Sequence, residues 1–324
     1  MWILTGANGF IGSALLSELN LRGKKDLIIT DSVRPEERPD LLKEKNYSQF
    51  YHTDELFEAL EESSLANSIE GVIHMGACSD TTEMDLEFLK ENNTLYTERL
   101  FQFCTHQKIP FIYASSGAVY GSGAQGFDDH TPSDAFTPLN PYGWSKVNFD
   151  IWAEKQKATP PRWYGLRFFN VYGPNEYFKN NMASLVFKAF FQIQETGKLK
   201  LFRSHREDYK DGMQLRDFVY VKDITRWICE LMDDAPAHSG IYNMGFGQAR
   251  TWLDLAKPVF EALGKPMEIE WVDIPENIRN QYQYFTEAKM GKLFSEGLSQ
   301  PEWSLEKGVN DYVTSYLMKG PKIL

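Results

Sequence analysis

The sequence predicts an α/β protein: a doubly wound parallel sheet covered by helices on both faces, followed by a smaller C-terminal α/β lobe. Three observations predict it. Short apolar runs, WILT at 2–5, LIIT at 27–30, GVIHMGA at 71–77 and FIYASS at 111–116, have the length of buried strands. Amphipathic stretches around 10–22, 54–62 and 84–107 alternate with them, and parallel neighbours need connections of that length. At 324 residues the chain is also long for one core, which favours a large domain plus a second lobe.

Taken in order, the first strand runs straight into TGANGFIG, with Gly6, Gly9 and Gly12 at the junction of strand and helix. Backbone N–H groups can approach a phosphate there only where side chains are missing, and the helix N-terminus favours its charge. The placement predicts a dinucleotide site. The second strand ends in Asp31, where a carboxylate takes an adenosine ribose hydroxyl; Ser32, Arg34 and Arg38 follow, and a guanidinium there suits a 2′-phosphate. Asp31 points to NAD and the arginines to NADP, while RPEERPD also fits a solvated, self-paired loop. The choice stays open, with a lean to NADP.

The strand at 111–116 carries Ser115 and Ser116 to the C-terminal edge of the sheet, where ligands of open α/β sheets sit. A further helix is expected from Pro141 through YGWSKVNFDIWAEKQ, then a strand at 163–169. Tyr142 and Lys146 share one face of that helix by spacing alone. Oxidising an alcohol needs a base for the hydroxyl proton. Lowering a tyrosine from about 10 to about 7 takes roughly 4 kcal/mol, which an ammonium one turn away and a positive nicotinamide could supply. Ser116 would hold the substrate oxygen. After Gly173 the rhythm breaks, so 1–174 is expected to be the dinucleotide-binding domain and 175–324 mainly a substrate-binding lobe, with segments able to return to the sheet. Trp144, Trp152 and Trp163 are expected in or near the core, and His74 as a satisfied core histidine.

These motifs, TGANGFIG, HMGACS, SSGAVYG, YGWSK and RDFVYVKD, resemble the extended short-chain dehydrogenase/reductase family along essentially the whole chain. The resemblance implies a Rossmann domain with a sugar-nucleotide lobe, Tyr142 as acid/base, Lys146 as ribose ligand and tuner of Tyr142, and Ser116 as the third member. Dehydratases of that family carry Thr-Asp-Glu where this chain has Ser116, Gly117 and Ala118, so elimination of water is not expected. GACSDTTEMD, ENN, NVYGPNEYFKNNMAS and NQYQYFTEA are similar to the branch that epimerises an ADP-linked heptose at C6″ in lipopolysaccharide core synthesis. That branch implies Lys179 as a second base facing Tyr142, with transient oxidation and re-reduction by tightly held NADP. By the same resemblance Phe10, Ile11, Met75, Gly76, Ala77, Cys78, Ser79, Asn92, Val171 and Lys179 would line the cofactor. Asn170, Asn181, Lys188, Phe202, Arg203, Ser204, His205, Arg216 and Tyr282 would face the ADP-sugar, Arg216 at the diphosphate. The chain departs from the pattern at Lys188, where some members have histidine, and in RSHREDYKDGMQLRDF, a longer loop than usual. A second basic residue toward the 2′-phosphate has no clear counterpart near 52–54. Another nucleotide-sugar epimerase or reductase, or a non-catalytic dinucleotide sensor, are the alternatives.

A net charge of −11 argues against a nucleic-acid surface. No apolar run is long enough for a membrane helix, and the N-terminal residues lack the pattern of a signal peptide. Cys78, Cys104 and Cys229 are scattered, which suits a reducing, cytoplasmic setting. The six histidines form no metal-ligand spacing, so no metal is expected. The family resemblance implies a homo-oligomer.

Overall fold

The computed structural model describes residues 1–233, 237–279 and 282–324. Seven parallel strands form the main sheet in the order β10-β6-β5-β4-β1-β2-β3. They are β1 (Trp2–Thr5), β2 (Leu27–Asp31), β3 (Gln49–His52), β4 (Gly71–His74), β5 (Phe111–Ser116), β6 (Trp163–Phe168) and β10 (Gly240–Met244). Alternate side chains of each strand point to opposite faces, and both faces are buried. Ile3, Ile28, Val72, Phe111 and Ile241 pack on one side with Leu100 and Phe101. Leu4, Ile29, Ile73, Ile112 and Tyr242 pack on the other with Leu15, Leu16, Trp227 and Ile228. The helices α1 (Phe10–Leu21) and α8 (Val221–Met232) cover this second face, while α5 (Tyr96–Gln107) and part of α6 (Pro141–Glu154) cover the first.

Strand order reverses between β1 and β4, which opens a crevice at their C-terminal ends. The short helices α2 (Leu56–Ala59), α3 (Ser63–Ala66) and α4 (Leu86–Leu89) flank this side, and a π-helical turn, Lys90–Leu95, joins α4 to α5. The second lobe consists of a three-stranded sheet, β11-β9-β7, and a parallel pair, β8 and β12. Their spans are β7 Asn170–Tyr172, β8 Leu199–Phe202, β9 Leu215–Tyr220, β11 Ala249–Thr251 and β12 Ile269–Val272. The helices α7 (Leu185–Thr196), α9 (Trp252–Ala262) and α12 (Leu305–Asp311) enclose a core of Phe190, Phe218, Val259 and Val309. The small helix α10 (Glu276–Arg279) follows β12, while α11 (Gly291–Ser295) returns to the main sheet and packs Leu293 into its core.

Four local expectations change. The run 71–77 is a strand only to His74, because Gly76 must turn out of the sheet to pass Gly6. The edge strand β3 went unread, since QFYH is half-exposed and lacks an apolar run. The expected helix at 54–62 is one short turn plus α3. Trp163 is buried and Trp152 packs against Phe101 and Phe149, but Trp144 is 42% exposed, because residue 144 falls on the outer face of α6.

Candidate active site

The crevice is a cavity of about 680 Å³. Gly6, Gly9, Phe10, Ile11 and Gly12 form its floor, Asp31, Ser32 and Arg38 one end, and Met75 to Ser79 with Asn92 a side wall. Gly6 has φ +65°, and a Cβ there would lie 2.5 Å from Gly76 N; one on Gly12 would lie 2.0 Å from Gly6 O. The turn therefore brings bare backbone to the helix N-terminus. Asp31 accepts from Asn8 N (2.9 Å) and Val33 N (3.0 Å), so its carboxylate sits fixed behind the turn, though burial pushes its pKa up. Arg38 donates to Asn8 O and lies 3.8 Å over the Phe178 ring. Arg34 is instead paired with Glu55 at 2.6 Å. A cradle of this shape, with a carboxylate at the second strand end, fits a nicotinamide adenine dinucleotide.

The opposite wall carries the hydroxyls. Asn140 caps α6 by accepting from Gly143 N, and Pro141 occupies the first turn, which fixes where the helix starts. Tyr142 and Lys146 then project from one face into the cavity, opposite Ser116 at the end of β5. Burial pushes Tyr142 upward and the facing Ser116 hydroxyl favours its phenolate. Lys146 donates to Ala114 O at 3.1 Å, and burial lowers its pKa to about 8, opposed by Asp150 one turn further on. Asp150 is wholly buried, bonded to Tyr113, Ser115 and Arg167, so the base of the helix is locked to β5 and β6. The expectation is that Lys146 and a positive nicotinamide together lower Tyr142; among the protein's own groups desolvation dominates and raises it. His74 is bonded by Thr5 (2.6 Å) and Thr97 (2.9 Å) and stays neutral, the satisfied core residue that the sequence suggested.

Lys179 enters from the turn 173–184. Its ammonium lies 3.3 Å from Ser79 Oγ and 5.8 Å from the Phe10 ring centre, and burial lowers its pKa. Ser116, Asn170 and Val171 share the same cavity. The remaining substrate candidates do not line it. The Lys188 ammonium donates to the Asn181 backbone carbonyl at 2.6 Å. Arg203 pairs with Asp273, Ser204 N with Asp211, and His205 with Tyr284 and Ile274 N, so the long loop is pinned to β12 and its neighbours. Phe202 packs edge-on to Tyr282. Arg216 is buried between Trp252 and Tyr282, bonded only to the Leu215 and Gln283 carbonyls, with no carboxylate partner among the described residues. Gln283 connects the two clusters: it lines the cavity, its carbonyl accepts from Arg216 and its amide reaches Gly121 O. Gln283, Thr286 and Phe178 line the cavity and escaped the sequence reading. Gln283 and Thr286 stand in NQYQYFTEA, where only Tyr282 was singled out. Asn93 was also passed over for Asn92; it is buried and ties Cys78 to Ser145.

The profile of the NAD dependent epimerase/dehydratase family matches residues 2–245, which is more than half the chain. The chain belongs to this family. As a member, it takes a nicotinamide adenine dinucleotide as cofactor, in agreement with the cradle at Gly6. A Fusobacterium nucleatum protein named ADP-L-glycero-D-manno-heptose-6-epimerase is 47% identical, over 98% of both chains. One of the same name from Nitratidesulfovibrio vulgaris is 44% identical, again over 98% of both. Among solved structures, the Helicobacter pylori enzyme of that name superposes with a TM-score of 0.80 at 27% identity, covering 97% of this chain and 95% of its own.

Proposed function

We propose that this protein epimerises ADP-D-glycero-D-manno-heptose to ADP-L-glycero-D-manno-heptose at C6″, by transient oxidation and re-reduction. The carrying observation is that Tyr142 and Lys179, two groups able to move a proton, enter one cavity from separate elements, beside a dinucleotide cradle. An inverted carbon needs proton handling on both faces of its ketone, and two such groups supply it. The near-full-length relatives of that name support the same substrate.

Gly6, Gly9 and Gly12, with Asp31 and Arg38, would hold the dinucleotide, which would supply a hydride acceptor for C6″ and the same hydride for return to the other face of the ketone. Tyr142 removes the hydroxyl proton in the first half, with Ser116 holding the same oxygen and Lys146 supplying positive charge from below. Lys179 gives a proton to the oxygen in the second half, and the reverse reaction exchanges the roles. C6″ is exocyclic, so rotation about one C–C bond presents either face. The two proton carriers reset through solvent, and no net redox change occurs. Arg216, desolvated and without a counter-ion among the described residues, suits the diphosphate. For the cofactor we favour NADP: Arg38 forms no ion pair among the described residues and stands with Ser32 at the adenosine end. A cytoplasmic homo-oligomer, with residues 175–324 serving mainly the substrate, completes the proposal.

The test is to incubate the purified protein with ADP-D-glycero-D-manno-heptose, adding no cofactor, and to follow C6″ by NMR. Conversion that is lost in both Tyr142→Phe and Lys179→Met establishes the scheme. No conversion by the unaltered protein, even with NADP⁺ or NAD⁺ added, sinks the heptose reading.

A further inference from the structure

The turn that delivers Lys179 is wrapped around a carboxylate to which the scheme above gives no part. Glu176 is 1% exposed. Its Oε1 accepts from Gly173 N (3.3 Å) and the Ser184 hydroxyl (2.7 Å), and its Oε2 from Ser184 N (2.6 Å). These bonds draw the two ends of the 173–184 segment together. The Lys179 amide donates to the Glu176 carbonyl at 2.9 Å, so the lysine leaves the turn at a set distance from the acid. Among the described residues no lysine or arginine forms an ion pair with Glu176. Burial pushes the Glu176 pKa up, and the bonds from Ser184 and Gly173 favour its charged form.

We infer that Glu176 is the positioning residue of Lys179: it shapes the turn that aims the lysine into the cavity, and its carboxylate sets how firmly that lysine holds its proton. The inference rests on the reading of Lys179 as second base.

The surrounding charges support this. Burial lowers the pKa of Lys179, and Glu176 is the leading group that opposes the fall, ahead of Asp80. Asp80 is partly exposed and already accepts from Thr82 N and its hydroxyl, so water and these donors weaken its hold on the lysine. Glu176 is also the charge that opposes the lowering of Lys188 on α7. Tyr172 on β7, Tyr177 on the turn and Tyr312 after α12 also face the carboxylate; burial raises all three, so they remain neutral. Lys179 and Lys188 are thus the cations that feel it. The requirement is chemical. An ordinary lysine holds its proton too firmly to serve as a base, and a desolvated one without an anion would give it up altogether. An acid in one direction and a base in the other must lie between these limits.

The experiment reads Lys179 directly in the intact protein. The rate of its modification by an amine reagent is followed against pH by mass spectrometry, in the unaltered protein, Glu176→Gln and Glu176→Asp. The pH profile of epimerisation is recorded in parallel. In Glu176→Gln the Lys179 midpoint should move down by roughly half to one unit, a three- to tenfold change in its protonation equilibrium. The corresponding limb of the rate profile should move with it. Glu176→Asp keeps the charge and should keep the midpoint, even if the turn is weakened and the melting temperature falls. An unmoved midpoint in Glu176→Gln overturns the proposal. So does an equal shift in Glu176→Asp, which would make turn geometry the cause. Should Glu176→Gln not fold, Glu176→Ser, which removes the charge and leaves room for a water at the Ser184 and Gly173 donors, takes its place under the same criterion. Modification needs no turnover, so an unaltered protein that fails to epimerise refutes the functional reading and leaves the labelling result standing.

Discussion

Gly6 shows how much of the site hangs on the absence of one carbon. Its φ of +65° is open to glycine, and an added Cβ would run into the backbone of Gly76. Gly6→Ala should cost about 1–3 kcal/mol in stability and empty the site. Release of bound dinucleotide by denaturation, measured by chromatography, checks this; an alanine variant that purifies with a full complement would refute it. Lys146 gives a pH prediction. Burial has lowered its pKa to about 8, so its positive charge is present below that value and lost above it. Turnover should therefore decline as pH rises through about 8, and Lys146→Met should be slow at every pH with that limb gone. A rate profile flat from pH 7 to pH 9.5 in the unaltered protein would contradict it. At this scale the reading of TGANGFIG, Tyr142, Lys146 and Ser116 needed no coordinates, because each is a local motif with its own chemistry. Gln283 is the contrast. Nothing in its neighbourhood marks glutamine as special, and only the approach of Gly121 and Arg216 gives it a place.

Among the elements, β9 carries the most consequence. It sets Arg216 toward the aromatic pair Trp252 and Tyr282 and buries Asp217 beside it. Asp217 accepts from Phe246 N, Gly247 N and Ala288 N, which ties the segment bearing Gln283 and Thr286 to the strand. Arg216→Met should raise KM for the nucleotide sugar roughly ten- to a hundredfold, the loss of a charge-assisted bond of about 1.5–3 kcal/mol, with a smaller effect on kcat. Steady-state kinetics on a folded variant decide it, and an unchanged KM would remove Arg216 from the substrate site. Helix α6 teaches the opposite lesson. Its cap, its proline and its Tyr-x-x-x-Lys spacing are all written locally, so its span was legible within two residues. The turn at 173–184 was not, because its shape follows from hydrogen bonds to a buried acid rather than from a periodic pattern.

For the molecule as a whole, the return of the chain to the sheet matters most. β10 comes from the C-terminal half yet pairs with β6, and Asn243 within it is buried. Its side chain donates to Phe127 O and Lys289 O and accepts from Tyr120, while its N–H donates to Asp129. The returning strand is thereby fastened to the 120–129 loop and to Lys289, while Gln283 bonds both Gly121 and Arg216 across the crevice, and unfolding should be a single transition. Asn243→Ala leaves several buried groups unpaired and should lower stability by about 2–5 kcal/mol without splitting that transition. Calorimetry checks both points; two separate melting events in the unaltered protein would show that the lobes are not coupled in this way.

The sequence by itself determined the alternation of strands and helices, the dinucleotide turn, the Tyr142–Lys146 pair and the family, because these depend on neighbours within about one helical turn. Residue type and spacing encode such features directly. Only the tertiary structure decided that Lys179 and Tyr142 line one cavity, which the sequence implied by resemblance alone, that Arg216 lies buried with no acid partner among the described residues, that Gln283 lines the cavity while bonding Gly121 and Arg216, and that Glu176 sits inside the turn that carries Lys179. Each of these rests on groups more than thirty residues apart or on desolvation. Burial sets the energy of a charge, and burial exists only once the chain has closed around it.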